Sequence, residues 1–254
     1  MKSVVFATLL SSAAAFMAPA QPNTATALSE TKADLVALAE KSNPVLGYWD
    51  PMGLADADFW GQGSEATIGF LRHSEIKHGR IAMFAFVGYI VHANGIKFPW
   101  PMEMDGSAFP DNTNPPALWD AISEDAKWQI FSAIAFLEFW SELSTDNHKH
   151  YMAGGKPGDY PDFTSGNGKG IPHPVPFNFY DPFKLSKNMS DETKEKRLLA
   201  EVNNGRLAML GIFGFLSEQT VPGSVPVLSG IVKPYAGEVM APFTTNYLGM
   251  PFDM

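Results

Sequence analysis

Cysteine is absent from all 254 residues. That single absence excludes disulfides, thiolate nucleophiles, zinc–cysteine sites and iron–sulfur clusters. Charge is scarce too: Asp, Glu, Lys and Arg make up 18% of the chain, with a formal net charge of −9. An acidic balance without clustered Lys and Arg argues against a nucleic-acid partner, because phosphates demand such clusters. No Gly-rich phosphate loop and no Gly-x-Ser-x-Gly elbow is found, which removes the commonest nucleotide and hydrolase signatures. No clean run of about eighteen apolar residues occurs either, although low charge, 45% hydrophobic residues and 19 Phe lean towards a membrane. The length allows one domain or two small ones.

What is there begins with a targeting segment. "MKSVVFATLLSSAAAFMAPA" carries one early Lys, an apolar core from Val4 to Leu10 and small residues at Ala13 to Ala15. On the residues alone it fits a plain secretory signal. The following "MAPAQPNTATALS" is rich in Ser, Thr and Ala and free of acids, like a transit peptide. Residues 1–30 are therefore expected to be a cleaved presequence outside the fold, and residues 31–254 a single domain.

Three helices are expected in that domain, at about residues 64–94, 123–144 and 190–219. Each opens on Ser followed by acids, with Ser64 and Glu65 starting the first. Each is long enough for about 30 Å at 1.5 Å per residue. Between them lie "KFPWPMEMDGSAFPDNTNPP" and "AGGKPGDYPDFTSGNGKGIPHPVPFNFYDPF", whose Pro and Gly content reads as surface loop.

The first and third helices form an internal repeat at an offset of 126 residues: Glu75 with Glu201, His78 with Asn204, Gly79 with Gly205, Arg80 with Arg206, and Met83 with Met209. A turn precedes each copy, "YWDPMGL" and "FYDPFKL". Within one helix a five-residue spacing rotates Arg80 about 140° away from Glu75, so the two cannot satisfy each other. Two crossing helices related by a pseudo-twofold axis solve this, with Glu75 meeting Arg206 and Arg80 meeting Glu201. Leaving any of the four charges unpaired in an apolar setting would cost several kcal/mol. Gly79, Ala82, Ala85 and Gly88 on one helix, and Gly205, Ala208, Gly211 and Gly214 on the other, form small-residue bands expected to permit close approach.

The pairing leaves donors over. Glu75 and His78 lie three apart, as do Glu201 and Asn204, so each pair shares a face. Oxygen and nitrogen donors that arrive singly do not make a cage for a bare ion. They suit a metal that brings its own equatorial ligands and has one axial position open, such as a magnesium tetrapyrrole. Two other readings compete. Glu-x-x-His belongs to di-iron carboxylate sites, but those need a second copy and further Glu residues, and here the second copy ends in Asn204. The blandest alternative makes the pattern a helix-packing device with His78 as a satisfied polar residue.

"EIKHGRIAM" and "EVNNGRLAM", in this order within a three-helix layout, resemble the light-harvesting chlorophyll-binding superfamily. The aromatic-rich "WQIFSAIAFLEFWSEL" and the "AAAFMAP" junction resemble its fucoxanthin or peridinin chlorophyll a/c branch, from algae with secondary plastids. The resemblance implies an all-α membrane fold of three transmembrane helices. It makes Glu75, His78, Glu201 and Asn204 axial magnesium ligands and Arg80 and Arg206 their ion-pair partners. A further family ligand, fourteen residues beyond the Asn, lands on Glu218, with Gln219 adjacent. Gln129 and Glu138 are the middle-helix candidates, Gln129 being equally a solvated first-turn residue. The two Asp-Pro turns would hold carotenoid end rings, although ordinary turn chemistry explains them too.

One departure is plain: no His follows His173, so the ligand that green-plant members carry near the C-terminus has no counterpart. Lys149, Lys156, Lys169, Lys184 and Lys187 in the second loop, against Lys97 in the first, orient the N-terminus to the stroma and the C-terminus to the lumen. The implied role is a thylakoid antenna, not an enzyme, binding chlorophyll a, chlorophyll c and a carotenoid such as fucoxanthin, peridinin or a related xanthophyll. Its partners would be a photosystem I or II core, other antenna subunits in homo- or hetero-oligomers, and thylakoid lipid. A photoprotective member that dissipates energy is the rival within the fold; it would need protonatable lumenal acids, for which Glu103, Asp105 and Asp111 are candidates.

Overall fold

A computed structural model describes residues 30–144, 148–161, 163 and 189–237. The repeat's second turn (179–185), Lys169, Lys184, Lys187, His173 and residues 1–29 of the expected presequence lie outside these, whereas its last residue, Glu30, is described and accepts from Arg72. Five α-helices occur among the described residues, three of them long.

The chain enters through α1 (Lys32–Ser42), closed at its start by a capping box in which the Thr31 hydroxyl and the Asp34 carboxylate each satisfy a backbone N–H of the other. This helix was not expected from the sequence. A turn led by Asp50 follows, with a short 3-10 segment at Leu54–Asp56. Helix α2 (Ser64–Ala93) runs for 30 residues, about 45 Å. Its cap is Gly63, at φ 94°, rather than Ser64, which is the first helical residue and makes no capping bond.

The Pro-rich loop beyond α2 ends in a second unexpected helix, α3 (Pro115–Asp120), where the prolines occupy the first turn, the place where a missing N–H costs nothing. Helix α4 (Glu124–Ser141) is capped by Ser123 and stops three residues short of its expected end. Helix α5 (Asp191–Thr220), capped by Ser190, is again 30 residues long.

Helices α2 and α5 are the body of the fold. They cross at Gly79 and Gly205, near the midpoint of each, where a Cβ on either glycine would lie 3.1 or 2.9 Å from the other's Cα. Ala82 and Ala208 are buried beside that point. The small-residue bands do not all serve the crossing. Gly211 accommodates the Phe86 ring, Gly214 faces Leu228, and Gly88 faces open space. Phe86, Tyr89 and Phe215 stack where the helices diverge.

Helix α4 stands apart and is tethered mainly at its C-terminal end. Lys77 of α2 bonds Glu138 and Ser141, Tyr160 donates to Leu137 O at 3.0 Å, and Trp140 donates to Pro161 O at 3.2 Å. Its side chains Trp128, Ile130, Ile134, Phe136 and Phe139 point outward, as do Ile81, Phe84 and Val87 of α2 and Leu207, Leu210 and Phe213 of α5. So much exposed apolar surface on three helices is not a water-facing pattern. Among the described residues, however, no helix is long and apolar enough to cross a membrane by hydropathy. The charges in the N-terminal halves of α2 and α5 lower that measure.

Candidate functional site

At the crossing, Arg80 donates through Nε to Glu201 Oε1 at 2.6 Å, and Arg206 through Nε to Glu75 Oε1 at 2.7 Å. Each guanidinium also reaches outward with Nη1. Arg80 holds Gly158 O at 2.6 Å, whereas Arg206 holds the Ser42 hydroxyl at 3.2 Å. Gly158, at φ +77°, is clamped twice, since its N–H donates to His73 Nδ1 at 3.1 Å. The central ion pairs therefore anchor two peripheral segments, the end of α1 and the loop after α4.

The pseudo-twofold breaks at Arg72. This buried side chain bonds the second oxygen of Glu75 and reaches Glu30 at 3.2 Å. Sequence reasoning missed it, although the signal was present: Arg72 lies three residues before Glu75, within reach on one helix face. At the matching place in α5 stands Leu198.

The donors differ in how free they are. His78 is exposed, and its Nδ1 lies 2.7 Å from Ser74 O. A carbonyl only accepts, so Nδ1 carries the proton and Nε2 keeps its lone pair, as in metal-ligating histidines generally. His78 and Glu138 open into one cavity of about 590 Å³ between α2, α4 and α5, walled by Ile81, Met209, Phe213 and Leu216. Glu138 gives one oxygen to Lys77. Asn204 is exposed with no hydrogen-bond partner among the described residues, while its neighbour Asn203 takes the Ser42 hydroxyl. Glu201 borders a second cavity, of about 620 Å³, whose walls mix Leu198, Leu199 and Val202 with the charged Arg72, Lys156 and Lys196. Gln129 is exposed on α4 and borders neither cavity.

Glu218 is placed differently from the expectation. It is 3% exposed, and its two oxygens accept from Gly223 N at 2.9 Å and Val225 N at 2.8 Å. Gln219 is fully buried; it donates to Asn114 at 2.9 Å and accepts from the Tyr89 hydroxyl at 3.0 Å. Both therefore hold the turn beyond α5 and the approach to α3 in place.

The first Asp-Pro turn is built by its carboxylate. Asp50 accepts from the backbone N–H of Leu54 and Ala55, each at 3.0 Å, and from the Tyr48 hydroxyl at 3.1 Å. Those backbone N–H groups hold its carboxyl below the ordinary range.

The donor set fits a magnesium tetrapyrrole. His78 Nε2, the Asn204 amide and the outer oxygen of Glu201 are single, separated donors, and apolar side chains wall the cavity beside His78. Among the described residues no three His, Asp or Glu converge to hold a bare ion, so a di-iron arrangement lacks its donors there.

The family model described as chlorophyll A-B binding protein matches residues 36–220. The chain belongs to this family. It is 36% identical over 216 residues to fucoxanthin-chlorophyll a-c binding protein F, chloroplastic, of Phaeodactylum tricornutum, covering 85% of this chain and 94% of that protein. It is 34% identical over 234 residues to a fucoxanthin-chlorophyll a-c binding protein, chloroplastic, of Trieres chinensis, covering 90% and 98%. A third such relative, protein D of Macrocystis pyrifera, is 32% identical over 190 residues, covering 74% and 88%. These relatives put it in the chlorophyll a/c branch of the chlorophyll a-b binding family.

Proposed function

We propose that this chain is a light-harvesting antenna protein of the plastid thylakoid membrane. It binds chlorophyll a, chlorophyll c and a fucoxanthin-type carotenoid and passes excitation to a photosystem core through neighbouring antenna subunits. Bound pigments supply light absorption and excitation transfer; the protein supplies fixed positions. His78 Nε2, its ring locked by Ser74 O, would hold one magnesium, Asn204, Glu201, Glu75 and Glu138 would hold others, and Gln129 remains a candidate on the far part of α4. Glu218 stays outside this set because its carboxylate is consumed by the turn.

The observation that carries this reading is the free Nε2 of His78 at the mouth of an apolar cavity. The family match and the chloroplastic relatives agree with it. In this reading α2, α4 and α5 cross the bilayer, with the N-terminus stromal and the C-terminus lumenal. The charges that depress the hydropathy of α2 and α5 include two reciprocal ion pairs, and paired charges are the form in which a membrane interior tolerates them. The outward apolar side chains then meet lipid and pigment. A dissipative role finds less support: Asp111 pairs with Lys97 and Asp105 takes the Ser107 hydroxyl.

The test is reconstitution of the full chain with chlorophyll a, chlorophyll c and carotenoid, comparing wild type with His78→Leu. Loss of about one chlorophyll in the variant is expected. Equal stoichiometry in both would remove His78 from the ligand set, and no pigment complex at all would reduce the motif to helix packing.

A further inference from the structure

The two carboxylates at the crossing are alike in burial, Glu75 at 26% and Glu201 at 27% side-chain exposure. Desolvation therefore does not distinguish them. Their hydrogen bonds do. Glu75 gives one oxygen to Arg206 and the other to Arg72. Glu201 gives one oxygen to Arg80, and its second oxygen accepts from no group among the described residues. Each charge-assisted bond from a guanidinium withdraws electron density and occupies a lone pair. A carboxylate bracketed on both oxygens is thus the poorer donor to a metal.

Resting on the antenna reading above, we propose that Arg72 makes the two repeat-related pigment sites unequal. Glu201 is the strong axial ligand for a magnesium tetrapyrrole, and Glu75 the weak one. Arg72 is a positioning residue for Glu75, which it bonds directly, and it also borders the cavity beside Glu201. Glu30, the last residue of the expected presequence, also takes its Nε; in a chain cleaved after Glu30, Arg72 keeps Glu75 as its partner. The repeat shows where the asymmetry enters, since Leu198 fills the Arg72 position in α5. A second consequence follows for the fold. Glu75 can lose a metal and remain satisfied by two guanidiniums, whereas Glu201 without a ligand keeps one oxygen bare.

The two halves can be exchanged by single substitutions. Arg72→Leu gives α2 the α5 pattern, and Leu198→Arg gives α5 the α2 pattern. Leu198 is 40% exposed, so the second change leaves the core intact. The full chain is reconstituted with chlorophyll a, chlorophyll c and carotenoid. Glu75→Gln and Glu201→Gln each exchange a carboxylate donor for an amide and so identify, by the band that shifts or is lost, the absorption and circular-dichroism bands belonging to each site. The complexes are then warmed in detergent while those bands are followed.

In wild type the Glu75 band is expected to vanish at the lower temperature. In Arg72→Leu it should persist to higher temperature, approaching the Glu201 band. In Leu198→Arg the Glu201 band should weaken towards the Glu75 level. If Arg72→Leu does not fold, Leu198→Arg decides, read against Leu198→Met, which keeps a long side chain on the same cavity wall without the charge; equal weakening of the Glu201 band by both would overturn the proposal. Bands that leave in the reverse order in wild type, or a Glu201 band indifferent to Leu198→Arg, would overturn the inequality while leaving the antenna reading intact. Failure of wild type to bind chlorophyll would overturn both.

Discussion

Gly79 and Gly205 meet backbone to backbone, with room for hydrogen atoms and little else: a Cβ on Gly205 would lie 2.9 Å from Gly79 Cα. This contact sets the separation of α2 and α5 and hence the reach of both Arg side chains. Gly205→Val should force the helices apart and cost about 1–3 kcal/mol, the usual range for overpacking. Thermal unfolding followed by helical circular dichroism checks it. Gly88→Ala, into open space, should be close to neutral, and equal effects at the two positions would refute the crossing.

Arg80→Leu should be far more damaging than its size suggests. It strands the Glu201 carboxylate and releases Gly158 O together. Removing one partner of this half-buried pair, 37% and 27% exposed, costs about 1–3 kcal/mol. The exchanged double variant, Arg80→Glu with Glu201→Arg, restores opposite charges and should recover part of the loss. The recovery is partial because Gly158 stays unclamped. Reconstitution yield of the three proteins measures it.

Asp50 provides a pH dependence with a definite sign. Its carboxyl is held below the ordinary 3.8 by the N–H groups of Ala55 and Leu54. A carboxyl depressed in the folded state adds stability above its unfolded value, and that stability is lost as pH falls through the folded one. The turn at Asp50–Asp56 should therefore be firm at neutral pH and loosen below about 3.8. Asp50→Asn should remove the dependence. Proteolysis or amide exchange at Leu54 and Ala55 across pH reports it.

Glu218→Ala should loosen the chain after α5, because Gly223 N and Val225 N lose their acceptor. The cost of two unsatisfied backbone donors is about 1–3 kcal/mol each where water cannot reach them. Chlorophyll stoichiometry should not change. Loss of one chlorophyll with an intact turn would return Glu218 to the ligand set.

Much of this site was legible because a repeat converts one sequence into two constraints. The five-residue spacing denies Glu75 its own Arg80, and the offset of 126 supplies Arg206 in its place. Nothing comparable marked Arg72, which has no counterpart in the repeat: Leu198 stands at the matching place in α5. Glu218 fell at the expected register of a family ligand, yet register fixes a helix face and not what the following turn does to it. Helix α1 carried its cap in "TKAD", but a short helix with little buried surface leaves almost no periodic trace. Prolines 115 and 116 marked a loop by composition while serving as a helix start by position.

The reciprocal pairing also bears on a chain that is cut short. Glu201 and Arg206 both lie on α5. A fragment that stops before Asp191 displays Arg80 with no carboxylate to answer it and Glu75 without Arg206. Its charges cancel only when α5 closes on α2, so a chain cut short would advertise its own incompleteness.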